Sequence, residues 1–244
     1  MRYRDWLLED ATRLRSAARD APRQPVPTCP GWVGRDLVDH VGEVYAHKTA
    51  VLRLGRRPAE GEWPWAPDDD TVFAWFDARL AELVDELDHR TFTDPAWTFS
   101  ADNRTVGFWW RRMAHETAIH RVDAELTAGR APWPHEDEQA VDGVHELVGF
   151  AGEQSVLSAP DARSGVAGSV LVSAGDTALL VTMSDAGQLV APSAHGMAAD
   201  AAVTGSASDV FRALWNRPTD SPVEWTGDPG VLQRFRARLA LGAA

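Results

Sequence analysis

Apolar residues recur at three- and four-residue steps through the first half of the chain, the spacing that lines one face of an α-helix. Over 3–20 the repeating positions are Trp6, Leu7, Ala11, Leu14 and Ala18. The proline-rich stretch 22–30 ends this run, because proline lacks the backbone donor that a helix needs. A second helix is predicted over 34–54, with Leu37, Val41, Val44, Val51 and Leu52 facing inward. A breaker segment over 57–70 separates it from a third over 71–87, where Val72, Phe73, Phe76, Leu80, Leu83 and Leu87 face in. A loop over 93–105 leads to a fourth over 106–128. Long amphipathic helices joined by loops, with no strand pattern among them, predict a helical bundle.

Past Gly129 the texture changes. The proline-bearing, polar stretch 131–137 reads as a linker between a bundle over 1–130 and a second domain over 137–244. There a helix over 138–154 is followed by a switch to a period of two. Segments 166–172 and 178–183 read as strands separated by Ala174-Gly175-Asp176, a hairpin signal. Short strands are predicted over 188–191, 199–204 and 222–225, and helices over 206–216 and 228–239. Ser206 with Asp209 resembles a capping box at the start of the former. The expected fold class is therefore α+β, a four-helix bundle followed by a smaller α+β domain.

Charge and cysteine content narrow the functions. Lys and Arg number 24 against 36 Asp and Glu, a formal charge of −12. Nucleic-acid binding needs a basic surface that releases counterions, so such a partner is not expected. The single cysteine, Cys29, excludes an intramolecular disulfide and an all-cysteine zinc site, in keeping with a reducing cytoplasm. No window approaches the roughly 18 apolar residues of a membrane span, and the first ten residues lack a signal peptide's apolar run. A cytoplasmic protein is the expectation. Lys48 is the only lysine, a skew that suggests a high-GC genome.

Candidate chemistry centres on the fourth helix. Glu116 and His120, spaced i, i+4, project from one face one turn apart. His40, on the inward side of the second helix, supplies a third donor. One carboxylate and two imidazoles match a catalytic zinc site, which keeps a fourth position open for water or substrate. The competing reading is a solvated ladder in which Glu116 pairs with Arg112 and His120, since Phe108, Ile119, Val122 and Leu126 build the apolar face and His115 lies nearer its centre. Against it, Trp109 and Met113 share the Glu116 face. His47, two turns beyond His40, and His115 are competing ligands or partly buried histidines. His89, His135, His145 and His195 read as structural or surface residues, and Cys29 as a small buried thiol without an adjacent base. No glycine-rich phosphate loop or serine-hydrolase elbow is present, so no nucleotide cofactor is indicated.

The segment CPGWVGRDLVDHVGEVYAH, Cys29 to His47, resembles the first metal-ligand motif of the mycothiol-dependent maleylpyruvate isomerase family, and RMAHETAIHRVDAE, Arg112 to Glu125, resembles its second. VTGSASDVFRALWNRP and VEWTGDPGVLQRF are similar to its C-terminal domain. The resemblance implies a DinB-like metal-binding bundle followed by a sterol-carrier-protein-like α+β domain. It places the metal ligands on His40, Glu116 and His120, with Asp123 a partner of His120 by helix geometry. It further implies Zn²⁺ or another divalent metal, a low-molecular-weight thiol (mycothiol) and a small electrophilic substrate, with isomerisation or S-transfer at a metal-held thiolate. A C-terminal arginine contributes in the family's named enzyme; Arg212 and Arg217 lie in the matching region, and neither is assigned a role. A metal-dependent hydrolase without thiol, and a non-catalytic metal- or ligand-binding protein, are the alternatives.

Overall fold

A computed structural model of the chain describes residues 2–68 and 71–242. Asp69 and Asp70, the end of the expected breaker segment, and the terminal residues 1 and 243–244 of the two expected domains lie outside the described residues. The chain divides into two compact units, Met1–Trp133 and Pro134–Ala244. No described helix is long and apolar enough to cross a membrane.

The first unit holds four long helices, α1 (Tyr3–Asp20), α2 (Gly34–Leu54), α3 (Val72–Asp88) and α4 (Val106–Thr127). Asp36 starts α2 by accepting the Val33 backbone N–H on its side chain at 2.8 Å, and Gly55, at φ 65°, stops it in the left-handed conformation that glycine tolerates. α1 packs on α4, and α2 on both α3 and α4. Leu7, Leu14, Leu37, Val41, Tyr45, Phe76, Leu83, Leu87 and Val122 fill the space between them, all fully buried. Gly42 lets α3 approach, since a Cβ there would stand 2.3 Å from a ring carbon of Trp75.

Three inward assignments need correction. Val44, Leu80 and Leu126 are only half-buried, because each sits at the edge of its helix's apolar stripe. α4 departs further from expectation. Arg112, His115, Thr117, Arg121, Asp123 and Glu125 are buried on it along with its apolar residues. It packs on α1 and α2, and its polar side chains are satisfied within the helix, by loops and by those two helices. Arg121 bonds Asp10 of α1 at 2.9 Å and Glu125 at 2.8 Å, while Tyr45 Oη of α2 lies 2.6 Å from Thr117 Oγ1.

The second unit is α+β. Helix α5 (Asp137–Phe150) ends four residues before the expected stop, and a separate short helix α6 (Gln154–Leu157) and a 3₁₀ turn (Pro160–Arg163) follow. Gly149 and Gly152 flank the break, and glycine is the least costly residue at which to leave a helix. Strands β1 (Gly168–Ala174), β2 (Thr177–Met183), β3 (Gln188–Ser193), β4 (Ala201–Gly205) and β5 (Glu224–Gly227) form one sheet in the order β3-β2-β1-β4-β5. β1 pairs β4 in parallel, and the other neighbours are antiparallel.

β1 starts and ends two residues later than expected. The hairpin loop is the two-residue Gly175-Asp176, and Gly175 takes φ 57°, as the first position of a type II′ turn requires. In this register Val170 and Val172 face Val181 and Leu179 on one side and Ala201 and Val203 on the other, one continuous buried surface. Helices α7 (Ala207–Leu214) and α8 (Pro229–Gly242) pack against β1 and β4. Ser206 caps α7 by accepting the Asp209 N–H at 3.2 Å. α7 stops two residues early because Asn216 turns left-handed at φ 57°.

Candidate metal centre

His40 on α2 and Glu116 and His120 on α4 come together in the seam between the two helices. His40 Nε2 lies 3.3 Å from Glu116 Oε1, and His120 Nε2 lies 3.4 Å from the same oxygen. The two imidazole rings are 4.9 Å apart at 74°. One donor atom from each residue falls within 4.8 Å of the others. A tetrahedral shell with bonds of about 2.0–2.1 Å has donor–donor edges of about 3.3 Å. The spacing therefore suits a single small cation held by two nitrogens and one oxygen. With the His40 side chain 36% exposed and that of His120 11%, the cluster opens to solvent on the α2 side.

Neighbouring side chains fix which atoms face the cluster. Asp123, fully buried one turn below His120, accepts from His120 Nδ1 at 3.0 Å on Oδ2 and from Thr28 at 2.5 Å on Oδ1. In its neutral form His120 therefore keeps the proton on Nδ1 and presents the Nε2 lone pair, the arrangement that histidine ligands adopt. Arg112 binds Glu116 Oε2 at 2.5 Å, which leaves Oε1 for the two histidines. Trp32, in the loop before α2, covers His40 at 5.0 Å and stacks on His120 at 6.2 Å and 20°. The i, i+4 pair of Arg112 and Glu116 does form, but it is no solvated ladder: the Arg112 side chain is 7% exposed and that of Glu116 17%.

Electrostatics reinforce the geometry. Burial alone would raise the Glu116 carboxyl, but the Arg112 charge and the bonds to His120 and His40 outweigh it and hold it well below the usual range. Burial likewise opposes a charge on His120, yet its bonds to Asp123 and Glu116 push its pKa up to about 9. Without an ion, a proton on His120 occupies part of the role that a cation would fill.

A second group of donors, from Cys29, His120 and Asp123, also lies within 4.8 Å of one another. Both Asp123 oxygens already accept bonds from the protein, so this group reads as the support behind His120. Cys29 is accordingly not the buried, isolated thiol expected: it is half-exposed, and its Sγ lies 3.7 Å from Asp123 Oδ2. The fold brings a carboxylate 94 positions away onto that loop, a proximity no local pattern carries.

The rival histidines lie elsewhere. His115 is fully buried with its ring edge toward Tyr3, and His47 bonds Lys48 and packs on Trp63 at 4.7 Å. His135 is a core residue bonded to Ser208, whereas His89 and His195 are exposed and His145 is half-buried. Arg212 is buried against Asp209 and Asp220, and Arg217 bonds a backbone oxygen of Trp215. Trp32 went unassigned in the sequence, although it lies inside the first motif directly before α2.

The description of the mycothiol maleylpyruvate isomerase N-terminal domain matches residues 4–125, or 122 of the 244. The chain belongs to this family. The match covers all four helices of the first unit and both motifs that carry His40, Glu116 and His120, and it ties the chain to mycothiol and to metal binding. It stops before the second unit, so the sterol-carrier-protein-like character expected there rests on resemblance alone. No curated protein and no solved structure matches the chain.

Proposed function

We propose that the protein is a metal-dependent enzyme in which His40, Glu116 and His120 hold a divalent ion, zinc in the first instance, and that it uses a low-molecular-weight thiol, mycothiol, to isomerise or conjugate a small electrophile. The observation that carries this reading is the pair of 3.3 and 3.4 Å separations between three donors that suit a tetrahedral shell. Membership of a family named for mycothiol supports the choice of thiol. A zinc ion bound there would replace the thiol's proton and keep the sulfur nucleophilic near neutral pH.

The chain's own residues supply the rest. Asp123 holds the His120 ring and Arg112 holds the Glu116 carboxylate, so neither donor reorganises when the site fills. Trp32 shields the two imidazoles from water on one side, and the half-exposed His40 edge leaves a way in for thiol and substrate.

Metal analysis of the purified protein is the test. About one zinc per chain is expected, lost in His120→Ala and weakened in Glu116→Gln with the fold kept, because the latter change is nearly isosteric. Unchanged metal content in both variants overturns the site. Turnover of an ester or amide without any thiol would move the reading from thiol chemistry to hydrolysis.

A further inference from the structure

Two helical turns along the α2–α4 seam from the donor cluster lies Lys48, the chain's only lysine. Eight residues separate it from His40 on α2, about 12 Å of axial rise, and seven separate Trp109 from Glu116 on α4. Lys48 Nζ sits 5.2 Å from the centre of the buried Trp109 ring and 3.0 Å from His47 Nδ1. The remaining Nζ hydrogens have no carboxylate within ion-pair distance among the described residues. Other elements add to the positive character: Arg112 on α4 and Arg57 in the loop after α2 both act on the ammonium, with Glu116 the opposing charge. Arg112, moreover, is already engaged by Glu116.

A lysine without a counterion, half-buried against an aromatic face, is costly unless something anionic meets it. Its surroundings bear the cost out. Burial lowers its pKa to about 8, and Arg112 and Arg57 add to the effect against Glu116. Burial and the Lys48 charge lower His47 to about 4, so His47 stays neutral and serves Lys48 as a fixed acceptor. Trp63 packs edge-on against His47, and Trp65 against Trp63. An ammonium steered by two neighbours, two helical turns from three candidate metal donors and short of one negative charge, is the pattern of an anion anchor.

We propose that Lys48 is a specificity-determining residue, binding the carboxylate of a substrate whose reactive end lies at His40, Glu116 and His120. The inference rests on the reading of that cluster as the reaction centre. It adds the residue that recognises the substrate's anionic end and places that recognition on α2 of the bundle.

Because Lys48 is the sole lysine, untagged protein labelled with ¹³C-lysine gives one Cε resonance, which reports on this residue alone. Glutarate, with one carboxylate for the metal and one for Lys48, and acetate, with a single carboxylate, serve as probes on zinc-loaded and metal-free protein. Glutarate is expected to move the Cε signal saturably and to raise the Lys48 pKa, since it brings the missing counterion. Lys48→Met should weaken glutarate binding to the zinc-loaded protein about tenfold, leaving zinc content and acetate affinity unchanged, and Lys48→Arg should restore most of the loss. A Cε signal that stays put while glutarate binds, or a Lys48→Met variant that binds glutarate as the parent does, overturns the proposal. Should zinc fail to bind, the reading of the donor cluster falls separately. The metal-free titration then decides for Lys48: saturable movement supports the anchor, and a static signal removes it.

Discussion

At the scale of single residues, the site is a matter of which atom each side chain is free to present. His120 illustrates it: Asp123 takes the Nδ1 proton, so Nε2 is what remains for a cation. The raised pKa of about 9 has a consequence for binding, because a protonated imidazole cannot be a ligand. Apparent zinc affinity should climb about tenfold per pH unit from neutrality to about pH 9 and then level off, with close to one proton released per ion. Calorimetry in two buffers of different ionisation enthalpy measures that proton count. A plateau already reached near pH 6.5 would mean that Asp123 and Glu116 do not hold the ring as described. For the ion-free fold the sign is opposite: the stabilisation His120 contributes is complete below its unfolded pKa of about 6.5 and fades as pH rises through about 9. The pairing of Glu116 with His120 was legible in the sequence because i, i+4 spacing puts both on one helix face, whereas the approach of His40 depends on how α2 packs on α4. The company of Cys29 was not, because it depends on where a loop lands.

Elements explain why the first unit tolerates so much buried polarity. α4 carries charged residues on a face that a simple amphipathic helix would leave to solvent, and one of them, Arg121, is satisfied by Asp10 of α1. Removing one partner of a buried pair strands the other charge, whereas an exposed pair can be lost at little cost. Asp10→Ala should therefore destabilise the fold by about 3 kcal/mol, moderated because Arg121 keeps Glu125. Arg4→Ala, which breaks the exposed pair with Asp88, should cost under about 1 kcal/mol. Urea denaturation of both variants measures the difference, and equal midpoints would show that the α1–α4 network is not buried as described. The four helix spans of the first unit were readable from periodicity to within a residue, whereas those of the second missed by two to four residues at one end. The burial of α4 was not, because a pattern of apolar positions reveals one packed face and cannot say how many neighbours a helix has.

For the whole molecule, the proposed donors His40, Glu116 and His120 all lie in the first unit, so binding of an ion there is expected to act on that unit's folding. Nine of the eleven tryptophans lie in that unit, leaving Trp215 and Trp225 in the other, so tryptophan fluorescence follows its unfolding. Zinc at about 100 times its dissociation constant should stabilise that unit by about 2.7 kcal/mol and raise the fluorescence-detected midpoint by roughly 5–10 °C. His120→Ala should show no shift. A shift that survives in the variant would mean that the ion acts elsewhere.

The sequence by itself determined the four helices, the change to an α+β texture after Gly129, and the shared face of Glu116 and His120, because helix and strand periods and i, i+4 spacing are local properties of the chain. Tertiary structure alone decided the sheet order with its parallel β1–β4 pair, the burial of α4 on all sides, and the meeting of Asp123 with Thr28 and Cys29 and of Lys48 with Trp109. Each of these joins residues dozens of positions apart, and which distant segments meet is settled by the packing of whole elements.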